Sequence, residues 1–164
     1  MAKDDYRLRR VKDVRERAKQ EQARVVASRR AALAEAEAEL ERRRGETERC
    51  REAQRRAREQ MLSEAQGGAK ASAMVAHRAH LGDLREREQE LERAVEQQRG
   101  VVARREAELE KSLAELAEAS KEFQVIERHE QSWRQERRRE GERRAQKLND
   151  EIAAILHGRR RSDE

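Results

Sequence analysis

The stretch "EAQGGAKAS", residues 64–72, holds the only adjacent glycine pair in the chain, Gly67 and Gly68. It is the one place where consecutive residues resist a helix strongly enough to reverse the backbone. On both sides lie long runs of strong helix formers, chiefly Ala, Arg, Glu, Gln and Leu, with no proline among the 164 residues. Gly45, Gly82, Gly100 and Gly141 stand alone, and an isolated glycine costs a helix about 1 kcal/mol without ending it.

Charged residues make up 46% of the chain, apolar residues 35% and aromatic residues 2%, which argues against a compact multilayer core. The lack of Pro and the wealth of helix formers argue equally against disorder. Long helix, coiled coil or single charged helix remain. The formal net charge is +5, with both signs closely interleaved, as on a solvated helix face rather than a nucleic-acid-binding arm. No run approaches the roughly 20 apolar residues of a membrane span, and "MAKDDYRLRR" has no apolar centre for a signal peptide. A cytoplasmic protein without membrane insertion is the expectation. The single cysteine, Cys50, fits a reducing compartment and a packing role.

Heptad tracks flank the glycine pair. After it, Leu81, Val95, Val102, Leu109, Leu116 and Phe123 share one track, and Leu84, Leu91, Ala119, Ile126 and Trp133 share the track three residues on, interrupted by Glu88, Gln98, Arg105 and Ser112. Before it, Val26, Leu33, Leu40, Thr47, Gln54 and Met61 form one track and Ala36, Cys50 and Ala57 its companion. Val11, Val14, Ala18, Val25 and Ala32 continue the stripe shifted by one residue, as a nearly straight helix would require.

Turn and tracks check each other. A hairpin reversing near residue 69 pairs positions whose numbers add to 137 or 138, and the apolar positions obey this: Ala57 with Leu81, Thr47 with Leu91, Ala36 with Val102, Ala18 with Ala119, Val14 with Phe123, Val11 with Ile126. The fold class is therefore all-α: a long two-helix antiparallel coiled-coil hairpin with a C-terminal helix overhang. It is expected as a single rod over 1–164, with helix 1 at 5–65, the turn at 66–71, helix 2 at 72–157 and unpaired helix from about 137. The rivals are an isolated charged helix and a parallel dimer through the second arm.

At about 1.5 Å per residue the first arm would measure roughly 90 Å and the second roughly 130 Å, so the second overhangs. There Ala145, Leu148, Ile152, Ile155 and Leu156 make a helical apolar stripe with nothing to cover it, which points to a partner. Residues 1–19 carry eight basic against four acidic residues, and residues 134–164 ten against seven, so positive charge concentrates at the open end. Arg7, Arg9, Arg10, Arg137, Arg138, Arg139, Arg143 and Arg144 could there meet an acidic protein surface. Phe123, Ile126 and Trp133, the last near Asp4 to Tyr6, look like a clamp closing that end.

Phosphate loops, nucleophile elbows, cysteine pairs and metal-spaced carboxylates are missing from the sequence. His77 and His80 lie i,i+3 near the turn without a third ligand and read as surface histidines; His129 and His157 are isolated. The expectation is no enzyme, no cofactor and no metal.

Two stretches resemble the YscO/FliJ family of type III secretion stalk proteins: "YRLRRVKDVRERAKQEQARVVASRR" near the N-terminus and "EFQVIERHEQSWRQERRREGERRAQKLNDEIA" towards the C-terminus, the latter most like the YscO branch of virulence injectisomes. The resemblance implies a central-stalk-like rod, similar to the gamma subunit of rotary ATPases. It implies that Tyr6, Arg7, Arg10, Trp133, Arg137, Arg138, Arg144, Leu148, Ile152 and Ile155 face a hexameric type III export ATPase. It implies that Met74, His77 and Leu81 face the cytosolic domain of a membrane export gate, with secretion chaperones as further partners. Against this stand a generic cytoskeletal or peripheral-stalk coiled coil and a basic nucleic-acid-binding rod, the latter disfavoured by interleaved Glu and scarce aromatics.

Overall fold

The computed structural model describes residues 6–162, with side chains described for 6–155. Two helices account for nearly all of them: α1, Arg9–Gln66, and α2, Ala71–Ser162. The helix start expected at residue 5 and the stripe member Leu156, like His157 and Asp4, fall outside the residues or side chains described. In the described chain the first helical turn opens later, at Arg9, whose amide donates to the Tyr6 carbonyl at 3.0 Å.

The reversal follows from glycine chemistry. Gly68 adopts φ +80°, a conformation that a side chain disfavours, and the last carbonyls of α1 are satisfied by amides beyond it. Ala69 donates to Glu64 at 3.0 Å and Gly68 to Ala65 at 3.2 Å, the paired bonds of a Schellman cap. Lys70 then accepts from Ala73 at 3.0 Å and opens α2.

The chain divides into two compact units, one of Arg24–Ala114 and one of Met1–Ala23 with Glu115–Glu164. They are called the turn unit and the terminal unit below. Each pairs a length of α1 with a length of α2 running the other way.

In the turn unit the inward positions repeat every three and four residues without a slip. Val26, Ala36, Leu40, Thr47, Cys50, Gln54 and Ala57 are buried on α1, facing Leu81, Leu91, Gln98 and Ser112 buried on α2. The expected register holds: Arg29 bonds Glu108 and Arg43 bonds the Ala94 carbonyl, pairs whose numbers add to 137. The polar seam residues Thr47, Gln54, Gln98 and Ser112 are among the most buried, and each has its partner, whereas Glu88 and Arg105 are only partly covered. Gln54 donates through Nε2 to the Leu84 carbonyl at 3.1 Å and to Glu88 at 2.7 Å, and Gln98 donates to the Ala36 carbonyl at 2.9 Å. Thr47 and Ser112 return their hydroxyl protons to the carbonyls of Arg43 and Glu108, one turn back on their own helices. Buried polar groups so satisfied cost the seam little and fix its alignment.

In the terminal unit the same register appears in Arg15 bonding Glu122. The one-residue shift of the stripe does not. Val11 is 40% exposed and Val14 62% exposed, so neither lies under Ile126 or Phe123 as the shifted stripe required. The partly covered positions are Leu8, Lys12, Arg15, Lys19 and Gln22, which carry the three-four repeat of the turn unit on unchanged. Long cationic side chains take these places because their methylene stems cover apolar surface while their heads reach carboxylates on α2.

Candidate functional site

The aromatic residues of the terminal unit do meet, around Tyr6. This ring is 7% exposed, lying 5.5 Å from the Trp133 ring and 5.6 Å from the His129 ring. Its hydroxyl lies 2.7 Å from His129 Nδ1 and donates towards the Ile126 carbonyl at 3.4 Å. Tilted rings at such spacing attract beyond simple area burial. Next along α1, Lys12 pairs with Glu130 at 2.6 Å, and Glu130 also receives Arg134. The hydrogen bond that Lys12 donates to Glu130 holds the Glu130 carboxyl below its ordinary range and the Lys12 ammonium above its own. Lys19 lies 5.0 Å over the Phe123 ring, a cation–π contact where the shifted stripe predicted Val14. Tyr6, Lys12, Glu130 and Trp133 line an open groove of about 480 Å³ with Arg9, Asp13, Glu16 and Arg134.

Beyond the clamp the surroundings change abruptly. Every side chain from Arg138 to Ile155 is exposed. Leu148 is 57%, Ile152 47% and Ile155 60% exposed, at helical spacings along one stripe. The arginines here are not a bare cationic patch. Arg138 pairs with Glu142 at 3.0 Å, and Arg137 and Arg144 both reach Glu140, at 3.4 and 3.7 Å. Arg7 and Arg10 are exposed. Of the residues assigned by resemblance to the ATPase, then, Tyr6 is consumed by the chain's own packing. Trp133 and Arg137 are half-buried, and the rest lie open.

At the turn, Leu81 is 6% exposed and belongs to the seam. Met74 and His77 are half-buried. His77 has a partner that the sequence did not point to: Nε2 lies 2.7 Å from Glu64 Oε2, tying the start of α2 to the end of α1. With Gln60, this contact keeps the Glu64 carboxyl below its ordinary range. His77 is therefore a turn fastener, and no group of three or more candidate metal ligands occurs among the described residues. Nor is any helix of the described residues long and apolar enough to cross a membrane.

Lys12, Arg15, Glu122 and Glu130 do not stand out in the sequence because charged residues on such a chain all read as solvated, and His129 reads there as isolated. For Arg15 and Glu122 the signal was present all the same, whereas the numbers of Lys12 and Glu130 do not add to 137. Opposite charges at numbers adding to 137, such as Arg15 with Glu122, mark cross-helix pairs once the register is known.

Comparison with known proteins agrees with this architecture. A solved structure described as a YscO homolog from Chlamydia trachomatis superposes with a TM-score of 0.75 at 23% identity, covering 97% of this chain and 98% of that one. No curated protein matches the sequence significantly. The model of the YscO-like protein family matches residues 3–163. The chain thus belongs to the YscO-like family.

Proposed function

We propose that this protein is a non-enzymatic, stalk-like component of a type III secretion system whose exposed C-terminal helix docks on the hexameric export ATPase and activates it. The observation that carries the reading is the stripe Leu148, Ile152 and Ile155, about half exposed or more, on a length of α2 where no described side chain is covered. Apolar side chains repeated at i, i+4 and i+7 along an open helix are what a groove on a partner recognises. Family membership supplies the secretion context. The turn end, with Met74 and His77, would meet the cytosolic domain of the export gate, and escort chaperones would share the exposed helix. The working place would be the cytosolic face of the inner membrane.

An ion-paired helix end suits such a task. Arg137, Arg138 and Arg144 already have glutamates on their own helix, so contact with the ring exchanges pairs and desolvates little charge. A generic coiled coil or a nucleic-acid rod has no comparable observation behind it.

The test measures ATP hydrolysis and hexamer formation by the purified ATPase with and without the full chain. Stimulation is expected, and it should fall at least tenfold with Leu148→Asp combined with Ile152→Asp. Both sites are exposed, so the helix itself should tolerate the change. Equal hydrolysis and equal assembly with and without the protein would overturn the proposal.

A further inference from the structure

The α1 portion of the terminal unit is held differently from the rest of that helix. Apart from the Tyr6 ring that precedes the helix, only Leu8 is apolar among its inward positions, Leu8, Lys12, Arg15, Lys19 and Gln22. Its fasteners to α2 include the Tyr6 hydroxyl on His129, the Tyr6 ring on Trp133, the Lys12–Glu130 and Arg15–Glu122 ion pairs, and Lys19 over Phe123. Gln22 buries its Oε1 without a protein partner among the described residues, which weakens the closed arrangement further. On the α2 side the same seam is mainly apolar: Leu116, Ala119, Phe123, Ile126 and Trp133 are all partly covered, with Glu130 alone among them as a charged member. One helix thus supplies the apolar face and the other covers it with charge.

From this asymmetry we infer that residues 6–23 form a strap that opens as a unit, uncovering the α2 face from Leu116 to Trp133 while the turn unit stays folded. Partly exposed ion pairs of this kind hold weakly and are screened by salt, whereas apolar contacts such as those of Leu40 or Leu91 are not. Few apolar contacts and exposed polar fasteners are also the mark of segments that open locally before a molecule unfolds globally. What opening uncovers is an apolar stripe flanked by Glu122 and Glu130, the pattern that a basic amphipathic helix matches. The strap covers that face with cationic side chains instead, their stems lying on the stripe and the heads of Lys12 and Arg15 reaching those carboxylates. The inference needs no secretion partner, and its test uses the chain alone.

Hydrogen exchange on the full chain reads the opening directly. Raising salt from about 0.05 M to about 0.5 M should speed amide exchange over residues 9–23 roughly tenfold and leave residues 26–57 within about twofold. The emission of Trp133, the sole tryptophan, should shift to the red in step as Tyr6 leaves its ring. Lys12→Leu with Arg15→Leu, which makes the strap's seam apolar, should slow exchange over 9–23 and remove its salt dependence. Exchange over 9–23 that is as slow as over 26–57 would overturn the strap, as would exchange blind to salt or unchanged by the two leucines.

Discussion

The turn unit and the terminal unit use the same helix pair in the same register, yet they hold it together by different means. All the buried residues of the described chain except Tyr6 lie in the turn unit. There apolar side chains alternate with glutamines and hydroxyls whose hydrogen bonds are made inside the seam. The terminal unit replaces them with Lys12, Arg15 and Lys19 on one side and a mainly apolar line, broken by Glu130, on the other. A heptad track therefore specifies position, whereas the chemistry placed on it sets how firmly the position is held.

The sharpest way to break the comparison is to truncate a seam residue of the turn unit and, in the terminal unit, a residue that the shifted stripe would have placed in the seam. Leu91→Ala should lower stability by about 2 to 5 kcal/mol, whereas Val14→Ala should stay within about 0.5 kcal/mol. Urea midpoints measure both, and a Val14 loss equal to that of Leu91 would restore the shifted stripe. Next comes the turn that aligns the seam: Gly68→Ala should cost about 1 to 2 kcal/mol, because φ +80° crowds any Cβ.

A smaller effect probes the buried polar groups. Gln98→Ala should cost about 1 kcal/mol through its lost bond to Ala36, while Gln98→Leu should be near neutral. The same urea titration separates the two. Gly45→Ala, where an added Cβ meets nothing within 4 Å, should instead raise stability by about 0.5 to 1 kcal/mol.

The smallest expected effect is the response to pH. In the turn unit Arg42 and then Arg43 push the Glu39 carboxyl down to about 2, Arg51 and Gln54 lower Glu88, and Arg105 lowers Glu108. In the terminal unit Lys12 lowers Glu130. Each is a carboxylate depressed by folding, so its contribution is present above the ordinary carboxylate range and is lost as pH falls through the lowered value. Lys12 has the opposite sign: its contribution is present below the ordinary lysine value and is lost as pH rises through the raised one. Circular dichroism should therefore show helicity flat across neutral pH and declining only in strong acid. The terminal unit, read through Trp133 emission, should alone loosen again in strong alkali.

Much of this was legible in the residues themselves. Gly67 and Gly68 act within a few bonds of backbone, and heptad spacing within a few turns of helix, so the reversal and the register could be read without coordinates. The exposed stripe was legible for the same reason, since an arm longer than its partner leaves a remainder. Which face of α1 turns inward near the N-terminus was not. Val11 and Val14 have the right polarity for a core, and only the packed pair shows that Lys12 and Arg15 take those places. The burial of Tyr6 and Leu81, assigned by resemblance to partner surfaces, was settled in the same way. Sequence by itself determined the two helices, their turn and their alignment, because local chemistry governs each of these. Only the tertiary structure decided which side chains the alignment covers. A long cation can bury its stem and pair its head, and whether it does depends on the carboxylate that the other helix presents.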